Sequence, residues 1–266
     1  MLAVMEWEMA DSVPHLTKHA CQVWLADIRD LQPWHIQLLN PEEKERVQSF
    51  RKEQDRAHFI IGCVLSRFVL AAQLNMAPHE VPIDRTCPAC RKAHGRPQLP
   101  DRSFQWSISH SGERVLVAFT AGTPVGVDVE WLDDSYALDI RQMANEVLAE
   151  EEKYHLFQAS PQEQRRVFYT YWTRKEAILK ATGKGLQISP LHVIVSAPHQ
   201  TPRLLYLKGD PGCLNRAAMY PLEMDNGYVA SLALLGEAGK QIERYDARML
   251  LRKGFGWKDD YRKMEQ

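Results

Sequence analysis

Two short segments constrain the fold of this chain more than any other part of it. Residues 125–130 (VGVDVE) alternate acids with small or β-branched residues and are predicted to form a strand. Side chains two apart on a strand share a face, so Asp128 and Glu130 should project the same way. Residues 172–180 (WTRKEAILK) lie in a long helical pattern, which places Glu176 and Lys180 on one helix face.

If this strand and this helix pack together, three carboxylates meet beside one ammonium. Carboxylates without a cation repel each other, whereas a hard cation such as Mg²⁺ can bind them while keeping waters and phosphate oxygens as further ligands. The pattern therefore indicates phosphoryl chemistry. Taken singly, each half also fits a plainer interpretation: an acidic exposed strand face, and a surface ion pair between Glu176 and Lys180.

The two segments, in this order and spacing, resemble the paired signature of the 4′-phosphopantetheinyl transferase superfamily. Three further segments fall where the longer, surfactin-type members carry similar sequence: residues 41–46 leading to Phe50, residues 94–97 (HGRP) and residues 107–112 (SISHSG). The resemblance covers about residues 40–190. The length of the chain also fits this two-lobed subfamily.

The resemblance implies the architecture. Composition and periodicity alone indicate an α+β protein. Relatives of this length have a pseudo-twofold pair of similar lobes, each an antiparallel sheet with helices, and a ligand cleft between the lobes. This predicts an N-terminal lobe of residues 1–122 and a C-terminal lobe of residues 123–266, which carries the acidic motifs and a polar, loosely attached C-terminal tail from residue 238.

The resemblance also implies the activity. Such an enzyme transfers 4′-phosphopantetheine from coenzyme A, its substrate, to a serine of an acyl or peptidyl carrier protein and releases adenosine 3′,5′-bisphosphate. Mg²⁺ would be held by Asp128, Glu130 and Glu176. Lys180 and His110 would act on the reacting phosphates, and Glu176 would be a third metal ligand or the base, directly or through water.

The remaining implied residues contact coenzyme A. The predicted set is Arg46, Arg91, Arg96, Ser109, His110 and Lys180. Arginine suits this task because its planar fork matches phosphate oxygens, although salt bridges to neighbouring acids are an alternative for each arginine. Ser109 and His110 are not a hydrolase dyad, because neighbours on a strand point to opposite faces.

Charge and apolar runs limit the other functions. The net charge of −1 gives no global field that favours nucleic acid or an anionic membrane, so neither is an expected partner. The most apolar stretch, residues 59–72, is short and contains Arg67, which predicts a buried helix. The N-terminus lacks the features of a signal peptide, so a cytoplasmic location is expected. The resemblance implies a monomer, because relatives of this size usually work alone. Cys87 and Cys90, with His94 nearby, fit a zinc site, a redox pair or a plain loop with free thiols.

Local signals place the remaining elements. Ser160-Pro161 predicts the start of a helix that ends at Thr182, followed by a left-handed Gly183. Short β-rich runs over residues 191–235 predict an antiparallel sheet. Trp172 is interpreted as a core aromatic. The helical stretch 139–158 is a candidate docking edge for the carrier protein, through Met143, Val147 and Leu148.

Two rival functions remain open at this point. The same carboxylates would serve a Mg²⁺-dependent phosphohydrolase or nuclease that has no carrier partner. The second rival is a non-catalytic module that binds coenzyme A without reacting it. Products formed in the presence and absence of a carrier protein distinguish the three functions.

Overall fold

The structure is a computed structural model of the chain. It describes residues 7–86, 95–133, 139–225, 227–236 and 239–254. These residues form an α+β protein with several antiparallel strand pairings, as predicted. Cys87, Cys90, Arg91 and His94 lie outside the described residues.

The described residues contain ten strands and six α-helices. The strands are β1 (Glu8–Met9), β2 (Ala20–Asp27), β3 (Phe104–Ser111), β4 (Arg114–Ala121), β5 (Val125–Trp131), β6 (Val193–Val195), β7 (Leu204–Leu207), β8 (Ala217–Leu222), β9 (Tyr228–Leu235) and β10 (Gln241–Asp246). The helices are α1 (Pro41–Ser49), α2 (Glu53–Leu74), α3 (Ile140–Val147), α4 (Glu150–Gln158), α5 (Pro161–Thr182) and α6 (Arg248–Lys253).

The chain folds into two compact units. Within the described ranges, the N-terminal unit comprises residues up to 106, 113–122 and 241–254, and the C-terminal unit comprises residues 107–112 and 123–240. The predicted lobes, by contrast, were continuous segments that met near Gly122. The units differ from them because residues 107–112 group with the C-terminal unit, and the chain after residue 240 returns to the N-terminal unit.

The N-terminal unit is built on a mixed sheet with strand order β1-β10-β2-β4-β3. Strands β2 and β4 are antiparallel, whereas β10 lies between β1 and β2 and is parallel to both. Tyr245 of β10 is buried, and its ring lies 4.7 Å from that of Trp24, centroid to centroid. The expectation of a loosely attached tail is therefore wrong for residues 241–246.

Helix α2 is the core helix of the N-terminal unit. Its length and hydropathy alone would allow it to cross a membrane, but 72% of its most apolar window is buried inside the structure. This confirms the predicted buried helix. Its Arg67 is fully buried, and Nη2 lies 2.7 Å from Oε2 of Glu43 while Nη1 donates to the carbonyls of Pro78 and Val81. The buried cation is thus paired and hydrogen-bonded, as a buried charge must be.

The C-terminal unit packs α5 against a three-stranded antiparallel sheet of order β5-β9-β8. The alternation in β5 divides its residues between two faces. Val125, Val127 and Val129 are fully buried on one face. Gly126 and Asp128 share the other face and meet α5 there. The acidic face of this strand is consequently covered by a helix and does not face open solvent.

The bounds of α5 agree with the prediction from sequence. The helix begins at Pro161 directly after Ser160 and ends at Thr182. Gly183 follows with φ 71°, the left-handed conformation that a glycine adopts readily and that closes a helix C-terminus.

Gly126 sets the distance between β5 and α5. A Cβ at this position would lie 1.9 Å from the carbonyl oxygen of Ala177 and 2.5 Å from the amide nitrogen of Ala181. The strand backbone therefore rests directly on the helix backbone. This close approach brings the side chains of β5 within hydrogen-bonding reach of those on α5.

The opposite side of α5 is anchored by buried charges. Lys175 is fully buried, and its Nζ lies 2.6 Å from Oε2 of Glu152 on α4. The same ammonium donates to the carbonyls of Val147 and Pro190 at 2.9 and 3.0 Å. Arg174 donates to four carbonyl groups of the loop at residues 196–200. These contacts fix the orientation of the helix about its own axis.

The predicted docking edge on residues 139–158 is wrong for its central residues. Val147 and Leu148 are buried in the core cluster of the C-terminal unit, and Met143 packs against the same cluster. Their apolar side chains serve the packing of α3 and α4 on α5.

Replacing Gly126 tests the close contact. Gly126→Ala is expected to lower the free energy of unfolding by ~3 kcal/mol or more, because overpacking costs about 1–3 kcal/mol even where side chains can move and here the clash is with backbone. Urea denaturation measures this. Gly212→Ala is the control, since its Cβ would meet only Asp210 Oδ1 at 3.7 Å. Equal stability of the two variants would contradict the packing described.

Replacing Lys175 tests the buried ion pair. Lys175→Met leaves the carboxylate of Glu152 buried without its cation and is expected to cost roughly 3–5 kcal/mol of stability. Lys153→Met is the control, because Lys153 pairs at 2.6 Å with the exposed Glu150 and such a pair contributes only ~0–1 kcal/mol. Comparable losses in the two variants, measured by thermal or urea unfolding, would rule out the anchoring role.

Candidate active site

Asp128 lies at the centre of the cluster on β5 and α5. Its side chain is only 5% exposed, and its Oδ1 accepts hydrogen bonds from Lys180 Nζ at 2.7 Å and from Ser109 Oγ at 2.8 Å. Lys180 also donates to the carbonyl of Val127 at 3.1 Å. The predicted convergence of the strand acid with the helix lysine is therefore present in the structure.

Glu130 lies two residues further along the same strand. Its Oε2 accepts from Ser111 Oγ at 2.9 Å, and its Oε1 accepts from the indole Nε1 of Trp172, also at 2.9 Å. Burial, and then the negative charge of Asp128, raise the pKa of Glu130 to about 7, although both hydrogen bonds and the charge of Lys180 act in the opposite direction. The carboxyl is thus short of positive charge.

Glu176 reaches the same cluster from α5. Burial raises its pKa, the charge of Asp128 raises it further, and Lys180 offsets only part of the effect. Oε1 of Glu176 and Oδ2 of Asp128 are both buried oxygens that accept no hydrogen bond within the described residues. The ammonium of Lys180 thus acts on all three carboxyl groups: it pairs with Asp128 and offsets part of the rise in the pKa values of Glu130 and Glu176.

The residues present fit a divalent cation. Two unsatisfied carboxylate oxygens, and two carboxyls whose pKa values are raised, make a site in which added positive charge is stabilising. Among the described residues, no group of three or more histidine, cysteine or acidic side chains already has the arrangement of a metal cage. Mg²⁺ does not require one, because it is usually held by one or two protein carboxylates together with waters and substrate phosphates.

Comparison with known proteins gives the family. A sequence model described as "4'-phosphopantetheinyl transferase superfamily" matches residues 124–233, and one described as "4'-phosphopantetheinyl transferase, N-terminal" matches residues 24–122. The chain is 30% identical over 197 residues to the 4'-phosphopantetheinyl transferase gsp of Aneurinibacillus migulanus, an alignment that covers 72% of this chain and 76% of gsp. The chain belongs to the 4'-phosphopantetheinyl transferase superfamily.

Two other members of the superfamily show how far the similarity extends. The chain is 29% identical over 166 residues to Sfp of Bacillus subtilis, with 62% of this chain and 69% of Sfp aligned. It is 31% identical over 153 residues to HetI of Nostoc sp., with 56% of this chain and 61% of HetI aligned. The chain thus matches less than two thirds of the length of HetI, and 65% of a second cyanobacterial relative, from Synechocystis sp..

The predicted residues of the C-terminal unit do not all have the environment expected from the superfamily. Ser109 is buried, and its hydroxyl proton is directed to Asp128. His110 is exposed, and as the next residue along β3 it points to the opposite face from Ser109. Trp172 packs against the core as predicted, but its indole also binds Glu130.

Two of the predicted arginines, Arg46 and Arg96, lie in the N-terminal unit. The guanidinium of Arg46 lies 5.0 Å from the ring centroid of Phe59, and that of Arg85 lies 5.5 Å from the same centroid. Burial and the neighbouring charge of Arg85 lower the pKa of Arg46. Arg96 donates to the carbonyl of Trp106 at 3.2 Å, and burial lowers its pKa. Arg91 lies outside the described residues.

Two of these contacts were not predicted. Arg85 shares the Phe59 ring with Arg46, and in the sequence it is only one of several basic residues clustered between positions 85 and 102. Ser111 binds a predicted metal ligand, and its signal was the run of serines at alternate positions 107, 109 and 111, which has the same period as the acids of β5.

The pKa of Glu130 predicts a pH dependence. Because the folded-state value of about 7 lies above the ordinary value of 4.5, the folded protein holds a proton that the unfolded chain has lost between these pH values. The stability of the metal-free protein should therefore fall as the pH rises from 4.5 through about 7. Glu130→Gln removes this effect and is expected to gain on the order of 1–3 kcal/mol relative to wild type between about pH 5 and about pH 8.

Urea unfolding in the presence of a chelator measures this difference. Glu151→Gln, an exposed acid on α4, is the control and should follow the wild type at every pH. A Glu130→Gln profile parallel to that of the wild type would show that Glu130 is not short of positive charge.

Proposed function

We propose that this chain transfers the 4′-phosphopantetheine group of coenzyme A to a serine of an apo carrier protein. The observation that carries the proposal is the cluster of Asp128, Glu130 and Glu176 around the single ammonium of Lys180. Membership of the superfamily and the activity named for gsp, Sfp and HetI support it.

The reaction needs little covalent chemistry from the enzyme. The serine Oγ of the carrier protein forms a bond to the phosphorus that bears pantetheine. The bond from this phosphorus to the bridging oxygen breaks, and adenosine 3′,5′-bisphosphate leaves with the electron pair. The serine proton passes to a base. Because the nucleophile belongs to the partner, positioning and electrostatic stabilisation are the main tasks of this chain.

Mg²⁺ would be held by Asp128, Glu130 and Glu176, where the unsatisfied oxygens of Asp128 and Glu176 are available to it. When bound, it would supply positive charge to the pyrophosphate and stabilise the leaving group. Lys180, which pairs with Asp128, would contribute a second positive charge to the phosphates. His110 is exposed and is proposed to contact the phosphates from solvent.

Glu176 is proposed as the residue that receives the serine proton, directly or through one water. Its raised pKa favours this role, because a carboxylate with a higher pKa is a better base at neutral pH. A carboxylate has two oxygens, so one can face a cation while the other accepts a proton. Glu130 is less suited to this task, since both of its oxygens already accept hydrogen bonds.

Basic residues are proposed to bind the phosphate groups at the nucleotide end of coenzyme A. Arg46 with Arg85 presents two guanidinium groups on one phenyl ring, which suits an anion. Arg96 and Arg91 are also proposed to contact coenzyme A, because the resemblance to the superfamily implies it. The hydroxyl of Ser109 can accept a further hydrogen bond, but its one donated hydrogen bond is made to Asp128.

The remaining proposals concern the setting of the enzyme. The proposed partner is an acyl or peptidyl carrier protein. Nucleic acid and membranes are not proposed as partners, because a net charge of −1 does not favour binding to their anionic surfaces. Cys21, Cys63 and Cys213 are buried free thiols, which suits a reducing cytoplasm. We propose that the chain acts as a monomer, which light scattering after size-exclusion chromatography measures.

A mass assay tests the proposed function. The protein is incubated with coenzyme A, Mg²⁺ and an apo carrier protein, and the carrier is expected to gain the mass of one phosphopantetheine. Asp128→Asn and Glu176→Gln should each lower the rate by roughly 100-fold or more, because each removes a charge that stabilises the transition state. Glu163→Gln, in the first turn of the same helix, should retain the wild-type rate.

The same assay separates the rival functions. Cleavage of coenzyme A without any carrier would show a phosphohydrolase, and tight binding of coenzyme A without turnover would show a binding module. Wild-type rates in Asp128→Asn or Glu176→Gln would overturn the assignment of the site.

A further inference from the structure

Three serines of β3 complete the hydrogen bonding of the edge strand β5. Strand β5 lies at one edge of its sheet, so the amides on its outer side have no strand partner in that sheet. Ser107, Ser109 and Ser111 supply the missing acceptors. The amides of Val127, Val129 and Trp131 donate to their hydroxyl oxygens at 3.2, 3.3 and 3.0 Å, respectively. Side-chain hydroxyls thus take the place of a neighbouring backbone.

Two of these three hydroxyls have a second bond. Ser109 Oγ donates to Asp128 Oδ1 at 2.8 Å, and Ser111 Oγ donates to Glu130 Oε2 at 2.9 Å. A hydroxyl has only one proton. Once its oxygen accepts the strand amide, the proton is left to be directed at the carboxylate. The backbone of β5 therefore orients each hydroxyl, and each hydroxyl orients the acid that lies next to its amide.

We propose that Ser111 is a positioning residue that holds the carboxylate of Glu130 ready for a divalent cation, and that Ser109 does the same for Asp128. The inference rests on the proposed function, since it assigns these serines to the same metal site. Neither residue needs to touch the cation. Each acts through the acid that it binds.

The geometry at Glu130 makes the case strongest for Ser111. Its hydroxyl holds Oε2, while the indole of Trp172 on α5 holds Oε1. Donors on two different elements therefore fix the rotation of this carboxylate from both sides. Removing Ser111 leaves the carboxylate fixed from one side only and also takes a hydrogen bond from a carboxyl already short of positive charge. Partners of this kind commonly contribute about 10–100-fold to metal affinity.

Ser107 provides a matched control within the same strand. It accepts the amide of Val127 in the same way, but among the contacts of the described residues its hydroxyl donates to no carboxylate. Ser107→Ala and Ser111→Ala therefore remove the same type of residue and the same type of amide bond. They differ in the bond to the acid, which is the interaction in question.

The experiment is calorimetric titration of the full-length protein with Mg²⁺ in the absence of coenzyme A and carrier. Ser111→Ala is expected to weaken Mg²⁺ binding by about 10-fold or more relative to Ser107→Ala. Ser111→Thr keeps the hydroxyl and should retain most of the wild-type affinity. Ser109→Ala should behave as Ser111→Ala. Thermal unfolding of each variant without metal measures how much stability the lost amide bond contributes.

The outcomes separate this inference from the proposed function. If Ser111→Ala binds Mg²⁺ within about twofold of Ser107→Ala, or if Ser111→Thr is as weak as Ser111→Ala, the positioning role is overturned whether or not the wild type transfers phosphopantetheine. Failure of the wild type to bind Mg²⁺ also overturns it. Normal Mg²⁺ binding with no transfer to any carrier would instead overturn the proposed function and leave the positioning role in place.

Discussion

Strand β5 rests on the backbone of α5 at Gly126, and the cluster of Asp128, Glu130, Glu176 and Lys180 depends on this contact. With any side chain at Gly126 the helix would have to move outward, since even a Cβ would lie 1.9 Å from the carbonyl oxygen of Ala177. The hydrogen bond between Lys180 and Asp128 spans the same interface at 2.7 Å, so it would lengthen if the helix moved outward. One glycine therefore sets the distance between the two elements that supply all three acids. The glycine of the VGVDVE segment is a requirement of packing, and the chemistry follows from the packing.

The close packing creates an electrostatic imbalance. Three carboxyl groups lie in or near a buried interface beside the ammonium of Lys180. Burial, followed by the charge of Asp128, raises the pKa values of Glu130 and Glu176. Such an arrangement lowers the stability of the folded protein by itself. A bound cation would compensate it, and would thereby couple the free energy of folding to the affinity for that cation. The unsatisfied oxygens of Asp128 and Glu176 mark the side of the cluster where this compensation is missing.

The sequence was sufficient where a signal is local and insufficient where partners are distant. Periods of two and of three to four residues predicted β5, α5 and the side chains that share a face on each. Gly183 predicted the end of α5 at Thr182. The place of β10 between β1 and β2 does not, because Gln241–Asp246 reads as a polar tail and its buried Tyr245 is a single residue. The docking edge was misassigned because a helical apolar stripe looks the same whether it faces a partner or the core. The row of serines at positions 107, 109 and 111 was visible in the sequence, but the amides and carboxylates of β5 that these serines bind were not.

The two lysines of the WTRKEAILK segment show most clearly what a motif leaves undetermined. Each residue of a helix is rotated by about 100° from the last, so Lys175 and Lys180 point in directions roughly 140° apart. Lys180 faces β5 and binds Asp128, whereas Lys175 is fully buried and holds Glu152 together with two carbonyls. The side chain of Lys180 is 28% exposed, whereas that of Lys175 is not exposed at all. The motif therefore combines two kinds of residue. Lys175 fixes the orientation of the helix through its buried contacts, and that orientation directs Lys180 toward Asp128.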